Sequence, residues 1–244
     1  INQPNEADNQ TQSSDTVPDS PVENFEEDDD FGEFEDEFED TDTIKVFDPL
    51  SGYNRLVTRF NDKFYDWLIK PSSTGYNFIV PKKGRIAVRR FFNNVFFPVR
   101  FANNFLQLKY HEAAIETARF IINSTVGILG FFDPAEDWLN LKPHPEDFGQ
   151  TLGFYGVGSG FHIVIPILGP SNLRDVLGVM PDVFVTPIAY FSEPEIAFSV
   201  EAYRQLNDTS LTLGEYESIR KDALDLYTFM RDAYEQKRNK EIEE

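Results

Sequence analysis

From residue 48 onward, apolar side chains recur every three to four residues, and prolines cut the pattern before any stretch grows long. Twelve of the fifteen prolines lie beyond residue 44. Proline fixes φ, removes an N–H and clashes with the preceding helical turn. The chain must therefore build short, kinked amphipathic helices. In "DPLSGYNRLVTRFNDKFYDWLIKP", Asp48 is the expected cap and Pro49 the first helical residue. Tyr53, Leu56, Val57, Phe60, Phe64, Trp67 and Leu68 form one apolar stripe, and Pro71 is expected to end it. "GRIAVRRFFNNVFFPVRFANNFLQL" reads as helical with a kink at Pro98. "YHEAAIETARFIINSTVGILGFF" reads as a helix ending near Gly127. "DVFVTPIAYF" and "PEIAFSVEAYRQL" read as shorter pieces. "LGEYESIRKDALDLYTFMRDAYEQKRNKEIEE" reads as one amphipathic helix with Tyr216, Ile219, Leu224, Tyr227, Met230 and Tyr234 on its apolar side. Strand alternation is expected only at 161–168. No run reaches the roughly 18 apolar residues of a membrane-spanning helix, because Arg119, Asn123 or Pro166 breaks the longest ones.

Charge divides the chain in two. Of 42 acidic residues, 17 fall in the first 44, which hold no Lys or Arg; the rest sets 25 acidic against 22 basic side chains. Residues 1–44 are too polar and too charged to bury surface against chain entropy, so a disordered acidic arm is expected there. Within it, Phe31, Phe34 and Phe38 stand at helical spacing. They read either as sticky aromatics in a solvated tail or as a docking peptide for a basic partner. Residues 45–244 form the folded domain. With no cysteine, the chain has no disulfide or thiolate chemistry. It begins at Ile1 rather than Met, which reads as a processed or trimmed form. Its 24 phenylalanines exceed ordinary core needs. They tilt an otherwise even choice, between a compact all-α globule and helices lying tangentially in a membrane interface, toward the membrane.

"DFGQTLGFYGVGSGFHIVIPILGPSNLRD" (147–175) sets five glycines among four aromatics and then runs into an apolar segment. It asks for surroundings that suit a segment both greasy and pliable. The "GVGSG" at 156–160 lacks the spacing of a dinucleotide loop, and Val157 stands where a serine-hydrolase elbow needs glycine before Ser159. His144 reads as a surface-loop residue and His162 as a satisfied, partly buried one; no spacing suggests a metal site. "FDPAEDW" reads as a helix start, with Asp133 capping and Pro134 first. No catalytic constellation, cofactor or metal is expected. A near-neutral body behind an anionic arm does not suit nucleic acid. Arg85, Arg89, Arg90 and Arg100 alternate with phenylalanine. They read either as an ordinary polar face or as anchors at a lipid headgroup boundary.

Four ordered stretches, "FDPLSGYNRLVTRFND", "FIINSTVGILGFFDPA", "EDFGQTLGFYGVGSG" and "PILGPSNLRD", together resemble the MlaA (VacJ) family of Gram-negative outer-membrane lipoproteins over about residues 47–190. The resemblance implies an all-α ring of kinked amphipathic helices lying in the inner leaflet of the outer membrane, on its periplasmic side, around an amphipathic central channel. It implies transport of misplaced outer-leaflet phospholipid to a periplasmic lipid carrier, which maintains lipid asymmetry, and association with a trimeric porin. The implied site is the glycine–aromatic loop beside the channel: Gly149, Gly153, Tyr155, Gly156, Val157, Gly158, Gly160 and Phe161, with Gly156 at a position tied to loop movement. Asn54, Phe60 and Asn61 match the family's N-terminal motif near the channel and its opening. Family members usually carry an acylated N-terminal cysteine, which this chain lacks. Either trimming removed it, or the ring alone holds this member to the membrane. The acidic arm is not typical of the family, and contact with a basic periplasmic partner is one role for it. Alternatives to conduction are a helical scaffold that docks porins and a lipid hydrolase.

Overall fold

The structure, a computed structural model, describes residues 46–190 and 194–244. The expected acidic arm and its phenylalanine repeat lie outside the described residues. Helices α1 (Ser51–Phe64), α2 (Lys70–Ile79), α3 (Lys82–Val95), α4 (Phe97–Leu106), α5 (Tyr110–Thr125), α6 (Pro134–Leu139) and α7 (Phe148–Phe154) come first. A hairpin follows, β1 (His162–Ile165) and β2 (Gly169–Asn172), then α8 (Leu173–Val185), α9 (Pro194–Leu211), α10 (Glu215–Asp222) and α11 (Leu226–Glu243). The hairpin is antiparallel, with His162 opposite Asn172 and Ile165 opposite Gly169. The fold is thus almost wholly helical. Among the described residues no helix is long and apolar enough to cross a membrane.

Packing closes on itself. α1 continues into α2, α2 lies on α9, α9 on α3, and α3 adjoins α4. Next α4 packs on α7, α7 on α11, and α11 returns to α1. The hairpin sits against α1 through β1 and against α11 and α8 through β2.

Several local expectations need correction. Asp48 does not cap α1, whose N-cap is Leu50 without a side-chain bond. Asp48 instead accepts hydrogen bonds from Asn54 Nδ2, at 2.9 Å, and from the Tyr227 hydroxyl, so two tertiary partners outcompete one local cap. Pro71 does not end the first helix. A π turn at Tyr65–Ile69 precedes it, with Lys70 N–H bonded to Tyr65 O. The wider turn gives the pyrrolidine ring room that a regular turn denies it. The C-terminal segment is two helices, because Asp225 accepts the Tyr227 and Thr228 amides and starts α11 afresh, leaving Leu224 fully exposed. Pro98 does mark a boundary, in the first turn of α4. Asp133 caps α6 as expected, accepting Glu136 N at 3.2 Å, with Pro134 first.

The arginines at 85–100 all have partners within the protein, Arg90 the most loosely, at 3.5 Å from Asp137. Arg85 is buried and donates to the Ser210 carbonyl and hydroxyl. Arg89 pairs with Asp208, and Arg100 with the fully buried Glu116. They belong to a general inversion of polarity. Among the described residues only seven apolar side chains, Pro134 included, are buried, against 21 polar or charged ones, seven of them asparagines. Meanwhile Phe78, Trp67, Trp138, Phe184 and Phe198 are more than two-thirds exposed. Large exposed apolar area combined with buried polar area is the informative reverse of a water-soluble protein.

Glu116 tests how much the buried polar pairs contribute. Its Oε2 accepts Arg100 Nε at 2.8 Å and its Oε1 accepts His144 N at 2.7 Å. Glu116→Ala leaves the guanidinium and an amide without their partner, so unfolding in mild detergent should become easier by roughly 3–5 kcal/mol. Glu116→Gln should lose distinctly less. Equal losses from the two variants would show that the pair contributes packing alone.

Candidate functional site

The hairpin is built against α1 by two asparagines. Asn54 and Asn61 lie two turns apart, on the same face of α1. Asn54 donates to the His162 carbonyl at 3.0 Å and accepts Val164 N–H at 2.8 Å. Asn61 repeats the pattern further along, donating to the Ile165 carbonyl at 3.0 Å and accepting Ile167 N–H at 2.7 Å. Each amide thus does for β1 what one residue of a neighbouring strand would do. Only Asn, Gln or backbone offers a donor and an acceptor at that separation. Phe60, from the same motif, does not join them: it is half exposed and stacks on Phe64 at 6.0 Å.

The glycines divide by role. Gly149 and Gly153 are helical, within α7. A Cβ on Gly149 would collide with Asp175 Oδ1 and come within 2.8 Å of Arg238 Nη2; one on Gly153 would lie 2.6 Å from Ile242 Cδ1. These two let α8 and α11 press onto α7. Gly156 ends α7 in the left-handed region at φ +84°, with its N–H on the Gly153 carbonyl (2.8 Å) and Val157 N–H on the Leu152 carbonyl (3.0 Å). That is the double-bonded helix end that favours glycine. Gly160, at φ +75°, approaches Leu173, and Gly158 has open space around it. The intervening carbonyls are tied down. Val157 O accepts Arg174 Nη1 (3.4 Å), Ser159 O accepts Arg174 N (3.1 Å) and Phe161 O accepts Leu173 N (3.1 Å). With Asn172 Oδ1 on Asp175 N, the first three amides of α8 are satisfied. Tyr155 donates its hydroxyl to Leu106 O at 2.6 Å. Tyr155 and Val157 are exposed, and Phe161 is half-buried.

Behind the loop sits a charged knot. Arg238 bridges Asp147, through two bonds of 2.8 and 2.9 Å, and Asp175, at 2.8 Å, while the Tyr234 hydroxyl donates to Asp175 at 2.6 Å. Burial pushes the Asp175 carboxyl up. The hydrogen bonds from Arg238 and Tyr234, with the charges of Arg238 and Arg174, outweigh it and hold the group below the usual carboxylate range. Asp182 goes the other way: burial raises it in spite of bonds from Phe148 N and Asn103. Sequence reasoning did not find this knot, because its members lie up to 91 residues apart.

Two cavities flank the hairpin tip, and Leu168 is in the wall of both. One, of about 320 Å³, is bounded by α1 and the π turn, the hairpin, α9, α10 and α11. Its wall is largely apolar, from Phe64, Ile69, Val164, Ile167, Leu168 and Met230. The other, of about 670 Å³, is rich in charge, with Arg100, Arg204, Lys237 and Arg238 set among Glu146, Asp147, Asp175 and Glu241. His162, read from the sequence as partly buried, is fully buried and lines the apolar cavity. Of the predicted loop residues, only Gly149 lines either of these two cavities; Gly153 faces α11, Tyr155 bonds α4, and Val157 and Phe161 bond α8 through their carbonyls.

A model of a family described as MlaA lipoprotein matches residues 46–241. A protein of Escherichia coli K12, named the intermembrane phospholipid transport system lipoprotein MlaA, is 30% identical over 203 residues, 81% of this chain and 79% of its own. The Haemophilus influenzae protein of the same name is 30% identical over 192 residues, 78% of this chain and 76% of its own. An uncharacterised Rickettsia bellii protein is 32% identical over 200 residues, 82% and 78% of the two chains. A solved structure from work on the structural basis for maintenance of bacterial outer membrane lipid asymmetry superposes with a TM-score of 0.72 at 26% identity, covering 80% of this chain and 98% of that one.

The asparagine clamp gives a residue-resolved test. Asn54→Ala strands two backbone groups of β1 and should cost roughly 3 kcal/mol, with the Val164 amide losing its hydrogen-exchange protection. Asn61→Ala should instead deprotect Ile167 and cost less, since that end is more exposed. Loss of protection spread evenly over both variants would mean the amides act only on global stability. For Asp175, the unfolded chain takes up a proton at a higher pH than the folded one. Its contribution is therefore complete above the ordinary carboxylate value of about 4 and is lost as pH falls further. Asp175→Asn should lower the melting temperature at pH 7 and flatten the decline below pH 4. An unchanged acid slope would remove Asp175 from the account.

Proposed function

The chain belongs to the MlaA lipoprotein family, and from that premise we propose that it moves phospholipid at the Gram-negative outer membrane, taking misplaced lipid from the outer leaflet and passing it to a periplasmic carrier so that asymmetry is kept. The closed set of helices would lie in the inner leaflet on the periplasmic side, with its exposed aromatics among acyl chains. A porin beside it would supply the outer boundary. The energy would come from the lipid gradient or from elsewhere in the pathway, and no covalent step is required of the protein.

The observation that carries this reading is the pair of cavities that share Leu168. A phospholipid has a greasy end and a charged end, and a path for it must offer both. Here a largely apolar open cavity and a charged one lie on either side of Leu168 at the hairpin tip, among helices that expose many large apolar side chains. The polar inside and apolar outside fit residence in a lipid interface, where exposed aromatics are stable. A scaffold that only docks porins has no need of such a junction.

Leu168 is three-quarters exposed at the hairpin tip, so Leu168→Glu should fold. In proteoliposomes the wild-type protein should float with the membrane, retain phospholipid on purification and pass it to acceptor vesicles. The variant should still float but transfer lipid on the order of tenfold more slowly, because an unpaired carboxylate beside acyl chains costs more than 1.4 kcal/mol. Unchanged transfer would favour the scaffold. A wild-type protein that neither floats nor retains phospholipid would end the transport reading, and release of fatty acid from labelled phospholipid would replace it with hydrolysis.

A further inference from the structure

Eleven of the twelve arginines are engaged within the protein, each by a carboxylate or, for Arg85, by the Ser210 carbonyl. Arg59 is the exception. Among the described residues its guanidinium has neither an ion pair nor a hydrogen bond, and it stands exposed on α1. It lines a third cavity, of about 480 Å³, enclosed by α1, the end of α10 and the start of α11. Thr58 and Tyr227 stand in the walls of both this cavity and the apolar one.

The rest of the wall narrows what the ligand is. Two more arginines line it, and both are committed. Arg55 bonds the Asp225 carboxylate, and that bond holds the carboxyl below its usual range. Arg220 reaches Asp62 at 2.9 Å and Asp66 at 2.8 Å. The two carboxylates in the wall, Asp62 and Asp225, are therefore taken by the flanking guanidiniums, and Arg59 adds a positive charge with no local counterpart. An anion answers that charge, and a guanidinium fork suits the paired oxygens of a phosphate. Apolar surface lies alongside. Tyr53, Leu56 and Phe60 are exposed at three- and four-residue spacing along α1, and Leu224 at the cavity's rim is fully exposed. Inorganic phosphate or an acidic peptide has no use for that stripe. A phospholipid uses both, with its chains on the stripe and its phosphate on the fork.

We propose that Arg59 is a phosphate-binding residue: it holds the phosphodiester of a phospholipid whose acyl chains lie along the exposed stripe of α1, outside the two cavities that share Leu168. The proposal rests on the membrane residence in the transport reading above and adds a lipid site to it. Arg59 reads the phosphate and not the group beyond it. Phosphatidylethanolamine and phosphatidylglycerol both bind, and diacylglycerol, which has the same chains and no phosphate, does not.

The full chain, with ¹⁵N-labelled arginine, is purified in mild detergent. Its Arg59 Nε–H resonance is the one missing from Arg59→Gln, a change at an exposed position that leaves the fold in place. In the wild-type protein that resonance should move on addition of either phospholipid and stay in place with diacylglycerol. In mass spectra of the intact protein at limiting lipid, Arg59→Gln should lower the occupancy of one bound phospholipid roughly fivefold, the effect of about one net hydrogen bond. Lipid held in the other cavities should be retained. A resonance that ignores phospholipid, or moves as far with diacylglycerol, overturns the phosphate contact. A shift matched by inorganic phosphate or by polyglutamate at the same concentration shows an anion site indifferent to lipid and overturns it too. So does phospholipid occupancy in Arg59→Gln equal to the wild type. Each of these outcomes leaves transport intact. A wild-type protein that binds no phospholipid overturns both.

Discussion

Among the described residues few apolar side chains are fully buried, so beside part-buried aromatic stacks such as Phe97 on Phe120 the helices are joined largely by hydrogen bonds and ion pairs between buried polar groups. In water this would be a poor bargain, because each buried polar group gives up its own solvation to make a bond of modest net worth. In the lipid interface proposed above, with apolar surroundings outside the ring, the comparison changes. Apolar side chains gain nothing by turning inward, while polar ones have nowhere else to find partners. The same reversal explains why asparagine recurs at the joints. Asn54, Asn61, Asn94, Asn103, Asn104, Asn123 and Asn172 each bond to a different segment or cap a helix, and asparagine offers both a donor and an acceptor without a charge to desolvate.

What the sequence revealed was what short-range chemistry decides. Asp133 with Pro134 announces a helix start because both the cap and the fixed φ act within three residues, and the structure has that start. Pro98 announces a boundary for the same reason. Pro71 misled because its effect depends on the turn before it, and a single π turn is invisible in the spacing of apolar residues. Asp48 misled because its carboxylate had better-placed partners in Asn54 and Tyr227, the latter 179 residues away. The break at Asp225 was legible in principle, since an aspartate two residues before Tyr227 is a cap signal, but the continuous apolar pattern from Tyr216 to Tyr234 concealed it.

The site was legible to a different degree. Family likeness pointed to Asn54 and Asn61, and the structure supplies a physical reason for them: their amides bond the backbone of β1 and its turn. The charged knot of Asp147, Asp175, Tyr234 and Arg238 left no trace in the sequence, because nothing in spacing says which of many arginines meets which of many aspartates. His162 was read as partly buried and is fully so; its contact with Glu235 lies on a helix whose register relative to the hairpin no periodicity could set.

Glycine richness in this segment invites a picture of a loose loop, and the bonding pattern argues otherwise. Gly149 and Gly153 belong to a helix crossing, and Gly156 closes that helix with two backbone bonds. Between Gly156 and Phe161 every second carbonyl is bonded to α8 or its Arg174. The glycines at 156, 158 and 160 alternate with those anchored residues, so the segment is held at its carbonyls while its path bends at its glycines. The parts of the hairpin without such ties are Pro166 and the exposed Ile167 and Leu168 at the tip, where Ile167 holds a left-handed φ of +71°. Its N–H is held only by Asn61. Backbone strain beside a single restraint is the natural place for motion. If lipid passes between the two cavities, the tip, with Asn61 as its latch, is the part that has to give way, and the glycine segment is the fixed frame it moves against.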